Sequence, residues 1–89
     1  MLVYPNPSDG RVQVRMHVPL KSVTDVKVKV FTTSFRKVQD LEFLALGPPG
    51  LEMILPMTDK WGANLANGLY YVEVLTDQGW LTAKWLILR

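Results

Sequence analysis

With 89 residues the chain holds one hydrophobic core and leaves no room for a second. Hydrophobic residues make up 48% of it and charged residues 20%, a globular balance that excludes a disordered tail. Cysteine is absent, which excludes a disulfide framework and a thiolate metal site, and the net charge of +2 is scattered among apolar and acidic neighbours, which excludes a nucleic-acid patch.

The first regular pattern runs over residues 11–18. Val12, Val14, Met16 and Val18 alternate with Arg11, Gln13, Arg15 and His17, the period of a strand with one face buried. Tyr4-Pro5-Asn6-Pro7 before it reads as an extended entry, because Pro5 and Pro7 have no N–H to give to a ladder. After the breaker at residues 19–22, Val26, Val28 and Val30 point inward between Asp25, Lys27 and Lys29, and these two valine-rich runs are expected to pair as a hairpin or as adjacent strands. Residues 36–46 form a less regular strand with Val38, Leu41, Phe43 and Leu46 inward, closed by Gly47-Pro48-Pro49-Gly50.

Leu51, Met53 and Leu55 then alternate in a short strand ended by Pro56. Residues 57–68 read as a loop, and Asn67-Gly68 as its closing turn. Residues 69–76 and 80–88, joined by Asp77-Gln78-Gly79, form the clearest hairpin, with Leu81, Ala83, Trp85 and Ile87 on one face of its second strand. No segment keeps helical period over the ten or so residues a helix needs. The expected fold is therefore all-β, one domain over residues 1–89, an immunoglobulin-like β-sandwich of about seven antiparallel strands.

Chemistry-bearing residues do not gather. His17 lies on the outer face of its strand, Ser8, Ser22 and Ser34 fall in turns, and the acids are spread one per segment, so no triad, carboxylate pair or zinc site is expected. The loop Asp59-Lys60-Trp61-Gly62-Ala63-Asn64 offers one acid and one amide, short of a calcium loop. Asn6-Pro7-Ser8 has proline in the forbidden position of a glycosylation acceptor. The chain is accordingly expected to be no enzyme, with no catalytic residue, cofactor or metal. Trp61 in a polar loop, Trp80 at the start of a strand and Tyr71, facing opposite to Tyr70, form the alternative: an aromatic platform for carbohydrate or a protein.

Two stretches carry a resemblance. Tyr4-Pro5-Asn6-Pro7, then Gly10 and an alternating strand, is similar to the opening of C-terminal sorting domains of the type IX (Por) secretion system and of the FlgD-type immunoglobulin-like domain first named from flagellar hook-capping proteins. Leu65-Ala66-Asn67-Gly68-Leu69-Tyr70, followed by a last strand from Lys84 to Arg89, resembles the close of the same families. In this chain Phe35 stands where the family has a turn glycine, and Leu55-Pro56-Met57 replaces a common Trp-Asp-Gly.

The resemblance implies a C-terminal accessory domain of a larger secreted or cell-surface bacterial protein, acting as a sorting tag or a structural module. Its partners would be the export machinery or the other domains of the parent. Tyr4, Pro5, Asn6, Pro7, Gly10, Leu65, Ala66, Gly68, Tyr70, Lys84 and Arg89 are the motif positions. No apolar run is long enough to span a membrane as a helix, and the residues after Met1 lack the pattern of a secretion signal, so export would use a signal upstream.

Overall fold

Alternation of β-branched and polar residues produces strands, and the computed structural model, which describes residues 1–22, 24–45 and 50–89, has seven of them. They are β1 (Leu2–Tyr4), β2 (Val14–Pro19), β3 (Thr24–Thr32), β4 (Lys37–Ala45), β5 (Gly50–Leu55), β6 (Gly68–Thr76) and β7 (Gly79–Ile87). One sheet has the order β1-β2-β5 and the other β4-β3-β6-β7, all pairs antiparallel. The two sheets pack face to face as an immunoglobulin-like sandwich.

Valine fills most of the space between them. Val14, Met16, Val18 and Leu55 of the first sheet meet Val26, Val28, Val30, Val72, Val74, Trp85 and Ile87 of the second, each essentially without solvent contact. At about 1.5–3 kcal/mol per buried aliphatic side chain, this layer supplies most of the force that closes the sandwich.

Three expectations are corrected. The strand expected over residues 11–18 begins only at Val14, and Val12 is 58% exposed. Val14 pairs with Leu55, the last residue of β5, and Pro56 beyond it has no N–H, so residues 11–13 have no ladder to join. The two valine-rich runs are not neighbours: β2 pairs with β1 and β5, while β3 pairs with β4 and β6 in the opposite sheet. Alternation shows which face is buried and is silent about the partner, and at Pro19 the chain leaves one layer for the other. Finally, ahead of the expected entry at residues 4–7, Leu2 and Val3 form with Tyr4 an edge strand, β1, pairing Leu2, Val3 and Tyr4 with His17, Met16 and Arg15.

The irregularity expected in β4 is a register shift, from Val30 opposite Gln39 to Phe31 opposite Lys37. The side chains expected inward at Phe43 and Leu46, and the breaker at residues 47–49, lie outside what the structure describes.

Candidate functional site

The two sequence motifs, at opposite ends of the chain, meet in space along the edge of β7. Asn6 places its carboxamide beside that edge as a strand would: its Nδ2 donates to the Lys84 carbonyl at 2.7 Å, and its Oδ1 accepts from the Leu86 N–H at 3.0 Å. Two residues on, Ser8 continues the ladder in parallel fashion, its N–H donating to the Leu86 carbonyl and its carbonyl accepting from the Leu88 N–H, both at 2.8 Å. Residues 2–4 thus belong to one sheet and Ser8 to the other, with Tyr4-Pro5-Asn6-Pro7 crossing between them. The Tyr4-Pro5 and Asn6-Pro7 bonds are cis.

Ser8 is fully buried, and its hydroxyl works twice. It donates to the Pro5 carbonyl at 2.5 Å and accepts from the indole Nε1 of Trp85 at 3.0 Å. Trp85 is the largest side chain with no solvent contact, so its N–H needs this partner. Sequence reasoning placed Ser8 in a turn and treated Asn6-Pro7-Ser8 as a failed glycosylation signal. The clue available was Trp85 itself, an inward residue whose polar tip demands an acceptor from elsewhere.

The second motif closes the same corner. The Tyr70 ring is buried at a 5.9 Å centroid distance from Trp85, and its hydroxyl donates to the Ala66 carbonyl at 2.7 Å, four residues upstream. This is the tyrosine corner of immunoglobulin-like sandwiches, at the start of the strand in sixth place. Gly68 opens β6 at a φ of 151°, a conformation closed to residues with a Cβ. Asn67 Oδ1 accepts from the Arg89 N–H at 3.0 Å, and the Arg89 guanidinium donates to the carbonyl of Leu65, whose side chain is buried. Gly10, at a φ of 85°, lies under Arg89, and a Cβ there would stand 3.3 Å from Arg89 Nε. Of the expected motif positions, Asn6 is bonded to Lys84, Tyr70 to Ala66 and Arg89 to Leu65, while Gly10 lies under Arg89 and Gly68 pairs with Ile87. Pro5 contributes a carbonyl, Pro7 is exposed, and Tyr4 stands apart on the outer face of the first sheet.

Tyr4 donates its hydroxyl to Glu52, and that hydrogen bond holds the phenol above its ordinary pKa. His17 lies in the same row, paired with Leu2 on one side and Glu52 on the other. Asp59 is occupied by its own loop, its Oδ1 accepting from the N–H groups of Trp61 and Ala63 at 2.9 and 3.0 Å. Among the described residues no three of His, Asp and Glu converge as metal ligands would.

Of the three platform aromatics, Tyr71 and Trp80 both face outward on the four-stranded sheet, and Trp61 stands on the loop before β6. Trp80 sits beside the β6–β7 turn with Lys29 Nζ 5.7 Å from its ring centre. Tyr71 lies four residues further from that turn on β6, roughly 14 Å away along the strand. It stacks on Phe35, with centroids 6.2 Å apart and planes at 11°. Trp61 sits between Lys60 Nζ at 4.7 Å and Arg36 Cζ at 6.0 Å, both close enough for cation–π attraction.

Phe35 was not singled out as a binding residue, yet it has an unusual backbone. The hairpin from Thr32 to Arg36 is closed by Thr32 N–H to Arg36 carbonyl at 2.9 Å and Phe35 N–H to Thr32 carbonyl at 2.9 Å, leaving a three-residue loop. Such loops end in a left-handed residue, normally glycine; here Phe35 takes it, with a φ of 62°. Phenylalanine thus holds a left-handed position where the resemblance led to the expectation of glycine.

No protein-family model and no curated protein matches the chain. Among solved structures, it is similar to dimeric latent PorU from Porphyromonas gingivalis, with a TM-score of 0.73 and 19% identity over 98% of this chain and 9% of that one. It is also similar to PorZ, described as an essential surface component of the type IX secretion system of Porphyromonas gingivalis, with a TM-score of 0.70 and 20% identity over 99% of this chain and 11% of that one. The chain thus spans about a tenth of the length of each, and the likeness is one of fold.

Proposed function

We propose that this chain is a non-catalytic accessory domain of a larger secreted or surface-exposed bacterial protein, serving as its sorting module for type IX export. The observation that carries the reading is the clasp along β7. The opening of the chain, remote in sequence from its close, is bonded to it through Asn6, Ser8 and Trp85, and Asn67 and Arg89 tie the two parts of the closing motif together. Motif residues used this way specify one closed edge, which suits a module recognised by its shape. The similarity in fold to a domain-sized part of PorZ supports the secretion context.

The test is fusion of the chain behind a signal peptide and a reporter protein in a bacterium with a type IX system. The reporter is expected in the medium or on the cell surface, and accumulation in the periplasm would refute sorting. A structural module would instead be revealed by lower stability or solubility of the parent after deletion of residues 1–89. The carbohydrate alternative rests on Trp61, Trp80 and Tyr71, and a flat tryptophan fluorescence response across a polysaccharide panel would dismiss it.

A further inference from the structure

One end of the sandwich gathers the starts of β2, β4 and β6 and the ends of β3, β5 and β7, since Val14 pairs with Leu55, Thr32 with Tyr70, and Gly68 with Ile87. Its loops are residues 9–13, 33–36, 56–67 and 88–89. They carry four cations, Arg11, Arg36, Lys60 and Arg89, against two acids, Asp9 and Asp59. The end is therefore +2 in a chain of net +2, and everything else together is neutral, with Lys37 at the start of β4 paired to Asp40.

Apolar exposure follows the charge. Of the eight large hydrophobic residues exposed among the described residues, Val12, Phe35, Ile54, Trp61 and Leu88 lie at or beside this end. Phe35 and Trp61 are the most exposed of all, at 75% and 66%. Phe35 is held there in a left-handed turn that costs a residue with a Cβ roughly 1–2 kcal/mol.

We infer that this end docks on an anionic phospholipid surface, with Phe35 and Trp61 entering the headgroup boundary and Arg36 and Lys60 meeting lipid phosphates. The rings stand on two separate loop tips, and the nearby hollow lined by residues 10–14 and 54–57 takes in neither of them, so the two rings do not frame one groove for a peptide. A fluid interface needs no such complementarity: it takes aromatic tips to shallow depth and draws cations by surface potential. Trp61 fits that boundary in detail, because Arg36 and Lys60 from different segments flank its ring and keep charge beside the inserted apolar surface. The inference goes beyond the sorting role and is tested without an export host.

The probe is vesicle co-sedimentation of the 89-residue chain. One set of vesicles is phosphatidylcholine alone, and the other contains about 30% phosphatidylglycerol, a density that gives a substantial negative surface potential. Binding is expected to the anionic vesicles only, with a blue-shifted tryptophan emission and weakening as salt rises. R36E/K60E is expected to lower the partition about tenfold or more, from roughly 1 kcal/mol per surface charge. F35G keeps a residue suited to the turn and is expected to lower it several-fold, while K27E, on the outer sheet face away from this end, leaves it unchanged.

Failure to bind anionic vesicles overturns the inference, as does equal binding to neutral ones or equal loss in K27E and R36E/K60E. If R36E/K60E impairs export while the wild-type chain ignores vesicles, the end belongs to an acidic protein and the lipid assignment falls. Periplasmic retention of the wild-type fusion, by contrast, refutes the sorting role and leaves vesicle binding to be judged on its own result.

Discussion

Replacing Ser8 with alanine isolates the clasp in a single atom. The lost hydroxyl both donates to the Pro5 carbonyl and accepts from Trp85 Nε1, in a position with no solvent contact. A buried donor left without a partner costs about 1–3 kcal/mol, and the lost bond to Pro5 adds roughly 1 kcal/mol more. S8A is thus expected to lose about 2–4 kcal/mol, a large part of the roughly 5–10 kcal/mol available to a domain of this size. Urea unfolding followed by tryptophan emission measures it, with the midpoint falling and the slope unchanged. The double-mutant cycle identifies the cause: W85F removes the orphaned donor, so S8A should be milder in the W85F background, with a coupling of about 1–2 kcal/mol. A loss under about 0.5 kcal/mol in S8A, or strict additivity with W85F, would refute the claim that this bond ties the two ends of the chain.

Y70F removes the hydroxyl that reaches the Ala66 carbonyl and is expected to cost about 1 kcal/mol, read from the same urea curves. At position 35 glycine is expected to be more stable than alanine by about 1 kcal/mol, the reverse of an ordinary strand position, because the φ of 62° penalises any Cβ; thermal unfolding of F35G and F35A makes the comparison. Asp77 accepts from the hydroxyl and N–H of Ser22 at 2.7 and 3.1 Å, and the hydroxyl bond in particular lowers its pKa. The folded carboxyl titrates below the unfolded one, so its stabilisation is complete above the unfolded value of about 4 and disappears as pH falls through the folded one. D77N should therefore flatten the decline in unfolding midpoint on acidification below about pH 4, and an unchanged slope of midpoint against pH would contradict the bond's role.

The clasp explains why the site was only half legible in the sequence. Gly68 and Tyr70 announce themselves locally: a turn glycine before a strand, then an inward tyrosine that needs a hydroxyl partner nearby, found at Ala66. Asn6 and Ser8 have no such local reason, because their partners are Lys84, Trp85, Leu86 and Leu88, about eighty residues away. The same holds for the aromatics. Trp61 and Trp80 read alike as exposed rings, yet one is flanked by Arg36 and Lys60 while the other, at a different end of the sheet, faces Lys29.

The sequence by itself determined the class of the fold, since period-two alternation at Val14, Met16 and Val18, at Val26, Val28 and Val30, and through residues 69–76 allows one buried face and no helix. Steric and hydrophobic preferences of this kind act between residues two apart, so a linear text records them. Tertiary structure decided which strands are neighbours, where β2 begins and what Phe35 and Ser8 are for. Those outcomes depend on the end of a distant strand at Leu55, the crossing to the other sheet after Pro19 and an indole N–H brought in by β7. They are contacts between segments, set by the closing of two layers on each other, and no local pattern carries them.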